Sequence, residues 1–242
     1  MMGRRLWLGA MAWLLAYPQE VLAGAARSMR LVTAHLPPLV HERGPEGGLQ
    51  ELVGELCRRA GLRPATTFVP WRRALFLATT MKATAIYPLT RLPEREQQYR
   101  WLVPLYEENY LLLAVRGRLL PTEDMKGKRI ALLRGGAQGA ILKELGFTRL
   151  VEAASIDEVH RFLLAGMADA AFGERRIIAA SLQSRPAEEG QFETSAPLRS
   201  TTAWLAGSLD FDDSDIALFQ RAWEAMRADG SQRRILAKHK LS

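Results

Sequence analysis

Short apolar segments and amphipathic segments alternate along residues 27–100. Three runs rich in β-branched and aliphatic residues predict strands, and they lie at 29–35, 66–69 and 83–87. Between them, apolar residues recur at helical spacing over 49–60, and the segment 70–80 begins with a proline, as many helices do. The order strand, helix, strand, helix, strand is typical of a parallel sheet with helices on its faces.

A second alternating block follows Pro121. Its predicted strands are 130–133, 148–153 and 169–172, and its predicted helices are 140–145 and 155–166. Ser155 and Glu158 have the spacing of a capping box, which favours a helix start there. We interpret the polar segment 183–200 as a loop. Apolar residues at 216, 219, 223 and 226 share one face of a helix that Gly230 closes.

Two further apolar segments connect the blocks. The run 110–115 would carry the chain out of the first block, and the strand 201–205 would return it. Two such crossings predict an α/β molecule of two lobes. We assign 27–108 and 206–242 to lobe 1, and 109–205 to lobe 2. Ligands of open α/β sheets bind beyond the carboxyl ends of the strands, so facing lobes would enclose a cleft.

The N-terminal segment has the pattern of a secretory signal. Arg4 and Arg5 precede an apolar run at 6–16, which is too short to span a bilayer comfortably. Small residues follow, and we expect a signal peptide of residues 1–25, cleaved after Ala23 or Ala25. An uncleaved membrane anchor is the alternative. The mature protein is therefore expected in the periplasm.

Composition narrows the function classes. Hydrophobic residues make up 48% and charged residues 24%, as in ordinary globular proteins. The net charge of +7 is scattered, without the dense clusters of a nucleic-acid-binding arm, so we expect no nucleic acid partner. Cys57, the single cysteine, cannot form an intrachain disulfide and is expected to be buried. The histidines are scattered, and we expect a monomer without metal or cofactor.

Candidate chemistry lies where predicted strands end. A polar turn after the strand 83–87 carries Thr90 and two arginines, of which Arg95 and Arg91 could each bind a carboxylate or phosphate. A Gly135-Gly136 turn leads into a predicted helix, where free N–H groups favour anions. Glu174 follows a strand and could hold a cationic group. Such a set suits a zwitterion, although the glycines could be only a tight turn and Glu174 a surface charge.

Several motifs in this order resemble one family. They are Pro37-Pro38, Pro70-Trp-Arg-Arg-Ala-Leu, Thr90-x-x-Pro-Glu-Arg, Lys126-Gly-Lys-Arg-Ile-Ala-Leu-Leu-Arg-Gly, Gly166-Met-Ala-Asp-Ala-Ala-Phe-Gly-Glu and Trp223-Glu-Ala-Met-Arg-Ala-Asp-Gly. Together they look like the family 3 extracellular solute-binding proteins, which are periplasmic amino-acid binders of ABC transporters. The resemblance covers nearly the whole mature chain. It implies a type II periplasmic-binding fold with two hinge crossings, which closes on its ligand.

The resemblance also implies roles for individual residues. Arg95 matches the arginine that binds the ligand α-carboxylate, and Thr90 matches the hydroxyl residue beside it. Glu174 matches the acid, usually aspartate, that binds the α-ammonium group. Arg91 is then expected at the rim or in solvent.

Other positions depart from the family pattern. Gly136, next to Gly135, stands where a threonine commonly holds the carboxylate, so only backbone N–H groups remain there. His35 is the nearest planar side chain to the place of a stacking aromatic. Trp71 could line the cleft or serve in packing between elements. These departures weaken the case for a standard amino acid as ligand.

We therefore expect a binding protein that captures a small polar, amino-acid-like or carboxylated solute for an ABC permease. A sensory or orphan binder that presents its ligand to a membrane receptor is the alternative. A dehydratase-like enzyme on the same fold, with Glu174 as general acid or base, is a third reading.

Overall fold

The computed structural model describes residues 27–241, so the predicted signal peptide lies outside the described residues. Within this range the strands are β1 (Arg27–Thr33), β2 (Leu62–Phe68), β3 (Thr84–Thr90), β4 (Arg100–Val115), β5 (Arg129–Leu133), β6 (Arg149–Ala153), β7 (Ala170–Glu174), β8 (Phe192–Thr194) and β9 (Arg199–Gly207). The helices are α1 (Gly48–Arg59), α2 (Trp71–Thr80), α3 (Thr122–Met125), α4 (Gln138–Glu144), α5 (Ile156–Leu164), α6 (Arg175–Gln183), α7 (Pro186–Glu189), α8 (Asp213–Ala228) and α9 (Ser231–Lys238).

One sheet joins the strands in the order β2-β1-β3-β9-β4-β7-β5-β6, with β8 paired to β4. Pairing is parallel within β2-β1-β3 and within β7-β5-β6. The central pairs β3-β9, β9-β4 and β4-β7 are antiparallel. Each parallel group therefore has the α/β arrangement that the sequence predicted, and two antiparallel strands connect the groups.

Strand β4 is longer than predicted. It has 16 residues and pairs with β9 from Arg100 to Tyr110, then with β7 from Tyr110 onward. The sequence predicted a strand only over 110–115. The strand tolerates Pro104 because a register irregularity lies at that point of the pairing with β9, where a missing N–H breaks no regular ladder.

Separate hydrophobic cores support the division into lobes. One cluster joins β1, α1, β3, β9 and α8, with Leu31, Leu52, Ile86, Leu205 and Phe219 among its members. Two further clusters lie on opposite faces of β4, because alternate strand residues point to opposite sides. Leu112 belongs to one of these clusters, and Leu111 and Leu113 to the other.

The predicted lobe boundaries stay a prediction, and strand pairing favours one adjustment. Ala203 and Trp204 of β9, predicted in lobe 2, pair with β3 of lobe 1. Below, lobe 1 means β1–β3, α1, α2, α8 and α9, and lobe 2 means β5–β8 and α3–α7. Strands β4 and β9 run between them.

Several local predictions need correction. The segment 183–200 contains α7 and β8 as well as loop, because its phenylalanine at 192 is buried in the lobe 2 core and β8 pairs with β4. Strand β3 extends to Thr90, so this threonine lies in a strand rather than in a turn. Ser155 caps α5 by accepting from the Glu158 N–H (3.2 Å), whereas the Glu158 carboxylate accepts from the Ala154 N–H.

Cys57 is buried, as predicted. Across residues 27–241, no helix is both long enough and apolar enough to cross a membrane.

Two phenylalanines test how strongly the lobe 2 core supports the fold. Phe147 is 2% exposed and Phe76 is 52% exposed. We expect Phe147→Ala to lower the free energy of unfolding by about 3–5 kcal/mol, because it removes buried surface and leaves a cavity. The matched control Phe76→Ala should change it by no more than about 0.5 kcal/mol. Urea denaturation measures both, and equal midpoints for the two variants would contradict the assignment of this core.

Candidate functional site

A cavity of about 560 Å3 lies between the lobes. It opens beyond the carboxyl ends of β1, β2, β5 and β6, where the fold places ligand sites. Its walls are mainly apolar. Among its lining residues, lobe 1 contributes Ala34, His35, Leu36, Phe68, Val69 and Trp71, and lobe 2 contributes Leu133, Ser155, Ile156, Ile177, Ala180 and Ser181. The charged residues that line it are Glu42, Asp157 and Arg185.

Two of the predicted site residues line this cavity. His35 is exposed, and its Nδ1 accepts a hydrogen bond from the Glu42 N–H (3.2 Å). Trp71, the first residue of α2, is largely buried in the lobe 1 core and also contributes to the cavity wall. The two interpretations of Trp71, packing and cleft lining, therefore both apply.

Arg95 ends a short 3-10 turn, Pro93–Arg95, and points inward rather than to solvent. Arg95 is only 8% exposed. Its Nη1 donates to the Thr90 carbonyl oxygen (3.0 Å), and its Nη2 donates to the Gly135 carbonyl oxygen (3.2 Å). Burial lowers the pKa of this guanidinium. Arg95 thus links the end of β3 in lobe 1 to a loop of lobe 2.

Arg91, the other arginine that could bind an anion, lies at the protein surface. It pairs with Glu96, and its guanidinium lies over the rings of Trp101 and Trp204. Its side chain is partly exposed, in keeping with the rim or solvent position expected from the sequence.

Thr90 is buried at the end of β3. Its Oγ1 donates to Glu108 Oε2 (2.8 Å) and lies 3.1 Å from the Tyr110 hydroxyl. Glu108 is only 4% exposed. Burial, with a smaller contribution from the charge of Glu174, raises the pKa of its carboxyl to about 7.

Sequence reasoning missed Glu108. The signal was the alternation Tyr106, Glu108, Tyr110, which places one carboxyl between two tyrosines on the buried face of a strand. That pattern becomes readable only when 100–115 is recognised as one continuous strand.

Glu174 is the last residue of β7 and the N-cap of α6. Its Oε2 accepts from the N–H groups of Arg176 (2.7 Å) and Ile177 (3.1 Å), and its Oε1 pairs with Arg176 Nη1 (3.4 Å). It is 2% exposed, so the reading of Glu174 as a surface charge is wrong. Burial raises the pKa of this carboxyl, opposed by these donors.

Gly135 and Gly136 have different surroundings. Gly135 has φ +76, and a Cβ there would lie 3.4 Å from Leu75 Cδ1, so its loop approaches α2 of lobe 1 closely. At Gly136, a Cβ would lie 1.8 Å from Gln138 Oε1. The side chain of Gln138 therefore fills the space that a side chain at 136 would take. Within residues 27–241, no hydrogen-bond donor reaches Gln138 Oε1.

The predicted site residues therefore separate into two groups. His35 and Trp71 line the open cavity. Arg95, Thr90 and Glu174 belong to a buried polar layer, together with Glu108, Tyr110 and Arg176. Ile177 connects the groups, because its N–H binds Glu174 and its side chain borders the cavity.

The raised pKa of Glu108 makes stability depend on pH. Its ordinary pKa is 4.5 and its pKa in the folded protein is about 7. Between these values the native state retains a proton that the unfolded state has released, so the free energy of unfolding falls as the pH rises and levels off above about 7. We expect wild type to lose on the order of 3 kcal/mol relative to Glu108→Gln across that interval.

Urea denaturation at a series of pH values measures this difference. Glu107→Gln is the matched control, because Glu107 is exposed on the same strand. Its pH profile should run parallel to wild type. A Glu108→Gln profile that also runs parallel to wild type would show that Glu108 titrates normally.

Comparisons with known proteins place the fold. No protein-family model and no curated protein matches the chain. Among solved structures, an ancestral arginine-binding protein bound to arginine matches with a TM-score of 0.78 and 17% identity, over 88% of this chain and 98% of that one.

Two other solved structures represent different biological contexts. The substrate-binding protein of an amino acid ABC transporter matches with a TM-score of 0.76 and 13% identity, over 87% of this chain and 98% of that one. A histidine kinase sensor domain with similarity to periplasmic binding proteins matches with a TM-score of 0.78 and 19% identity, over 88% of this chain and 96% of that one. The fold class predicted from the sequence is confirmed: the chain has the two-lobed type II periplasmic-binding-protein fold.

Proposed function

We propose that this protein is a solute-binding protein that captures a small polar, amino-acid-like or carboxylated solute between its lobes. The observation that carries the proposal is the 560 Å3 cavity, which both lobes line at the carboxyl ends of their parallel strands. Strands β4 and β9 connect the lobes, so a bend in two strands is enough to open and close the cleft.

The electrostatics of Arg95 favour a carboxylated ligand. Its hydrogen bonds go to two carbonyl oxygens, and among residues 27–241 no carboxylate forms an ion pair with it. A buried charge without a counter-charge is unfavourable, whereas a guanidinium offers five donors in a fork that suits a carboxylate. We propose that the ligand carboxylate binds Arg95, beside Thr90 and the Gly135-Gly136 loop. These residues do not border the cavity in this structure, so we propose that opening of the cleft gives access to them.

We propose that Glu174 does not act as a catalytic acid or base. Its carboxylate oxygens are engaged by two backbone N–H groups and by Arg176. A carboxylate held by three donors is a poor proton shuttle and a good structural anchor. Binding without turnover is therefore the function that we propose. For the same reason, we propose that Glu174 orders the cleft rather than contacting the ligand in the closed state.

We further propose export to the periplasm and an ABC permease as the partner. The sensor domain among the solved structures of this fold makes a membrane receptor the second candidate. Deletion of a transporter gene would abolish uptake of the identified solute in the first case. In the second case uptake would persist and a transcriptional response would be lost.

The ligand can be found by a thermal-shift screen of amino acids, polyamines and organic acids, since a ligand of the native state raises the unfolding midpoint. For any carboxylated hit we expect Arg95→Ala to weaken binding by about 2 kcal/mol or more, roughly 30-fold, because a charge-assisted pair in a desolvated site is lost. Calorimetry measures the change.

Arg91→Ala is the matched control and should bind as wild type does, because Arg91 contacts Glu96 and two tryptophans at the surface. Unchanged affinity in Arg95→Ala would refute the proposed binding of the ligand carboxylate by Arg95. Midpoint shifts with neutral sugars or amines alone would refute the proposed ligand class.

A further inference from the structure

The buried polar layer contains two acids and two arginines, but only one acid is paired. Glu174 pairs with Arg176 and accepts two backbone hydrogen bonds. Glu108 has a threonine hydroxyl as its partner, and Arg95 has two carbonyl oxygens. Arg95 and Glu108 both contact Thr90, Arg95 at its carbonyl oxygen and Glu108 at its hydroxyl, although they form no direct hydrogen bond with each other.

This arrangement matters when a carboxylate binds at Arg95. The ligand would bring a second negative charge next to Glu108, inside a layer that already holds Glu174. Like charges in a desolvated site repel strongly, and the usual result is that one acid takes up a proton. One negative charge is therefore enough to balance Arg95, and it can be that of Glu108 or that of the ligand carboxylate.

We propose that Glu108 takes up one proton when a carboxylate ligand binds Arg95, so that Glu108 selects ligands by their charge. This inference rests on the proposed function, because it assumes that a carboxylate reaches Arg95. The proton comes from solvent and neutralises the Glu108 carboxylate. The ligand then becomes the counter-charge of Arg95.

The neighbours of Glu108 can accommodate both of its forms. As a carboxylate it accepts from Thr90 on β3. As a neutral carboxyl it can donate to that hydroxyl oxygen or to that of Tyr110 on β4, two groups that already lie within hydrogen-bond distance of each other. Protonation therefore breaks no buried hydrogen bond.

The charged and titratable groups near Glu108 lie on the 3-10 turn, β4, β7 and α6. Arg95 on the 3-10 turn favours its ionised form. Glu174 on β7 opposes that form, and burial opposes it most strongly. The Tyr106 and Tyr110 hydroxyls on β4 stay neutral, because burial raises the pKa of both. Arg176 on α6 lies over the Tyr106 ring and pairs with Glu174.

Isothermal titration calorimetry tests the coupling. The probes are L-arginine, L-glutamine, L-glutamate and acetate, each titrated in two buffers with different ionisation enthalpies. We expect uptake of about one proton per bound probe above the pKa of Glu108, and affinity up to about 30-fold weaker at pH 8.5 than at pH 6. Methylammonium, the matched cation probe, should show no proton uptake.

Variants separate this role from a structural one. Glu108→Gln keeps the acceptor for Thr90 and has no proton to take up, so both the proton uptake and the pH dependence should disappear, and affinity at pH 8.5 should exceed that of wild type. Glu107→Gln, which removes the same charge on the exposed side of β4, should behave as wild type.

The outcomes separate the two proposals. Binding that depends on Arg95 but is accompanied by no proton uptake would overturn the role of Glu108 and leave the proposed function intact. Proton release on binding, or pH dependence that persists in Glu108→Gln, would also overturn it. If none of the four carboxylate probes binds at either pH, both the carboxylated ligand class and this inference fail.

Discussion

The antiparallel pairing of β4 with β9 is the constraint on which the rest of this molecule depends. It extends from Arg100 opposite Gly207 to Tyr110 opposite Arg199, and it joins two groups of parallel strands into one sheet. Strands β4 and β9 run between the groups, and each group has its own hydrophobic core. The cavity lies where the two groups face each other.

The same strand also determines the chemistry beneath the cavity. Alternation along β4 places Tyr106, Glu108 and Tyr110 on a buried face, next to Thr90 of β3 and Glu174 of β7. The polar layer therefore lies on the same strand that runs between the two lobes. Arg95 extends the connection, since it hydrogen-bonds to residues of both lobes.

Under the proposed function, the layer would supply the charge that a polar ligand needs beside a mainly apolar cavity. The open space is lined mainly by aliphatic and aromatic side chains, which favour the body of a solute by removing apolar surface from water. Glu42, Asp157 and Arg185 are the charged side chains at the cavity wall, whereas Arg95 lies in the buried layer, where the dielectric is low and an ionic contact would discriminate strongly. Under the proposed function, the walls would contribute affinity and the layer would contribute selectivity.

The amino-acid sequence by itself determined the alternating elements, the existence of two lobes and the fold class, because hydrophobic periodicity reports local structure directly. The resemblance to the family favoured Arg95 over Arg91 as the ligand-binding arginine, which stays a prediction. What it could not show was which polar residues would meet. Glu108 reads as one of two adjacent glutamates, and only its register on a 16-residue strand buries it while Glu107 stays exposed. Likewise, the sequence placed Glu174 at the end of a strand, but only the tertiary structure decided that it would be buried opposite Tyr110 of β4. Contacts between residues far apart in the chain depend on how the strands pair, and no local pattern records that pairing.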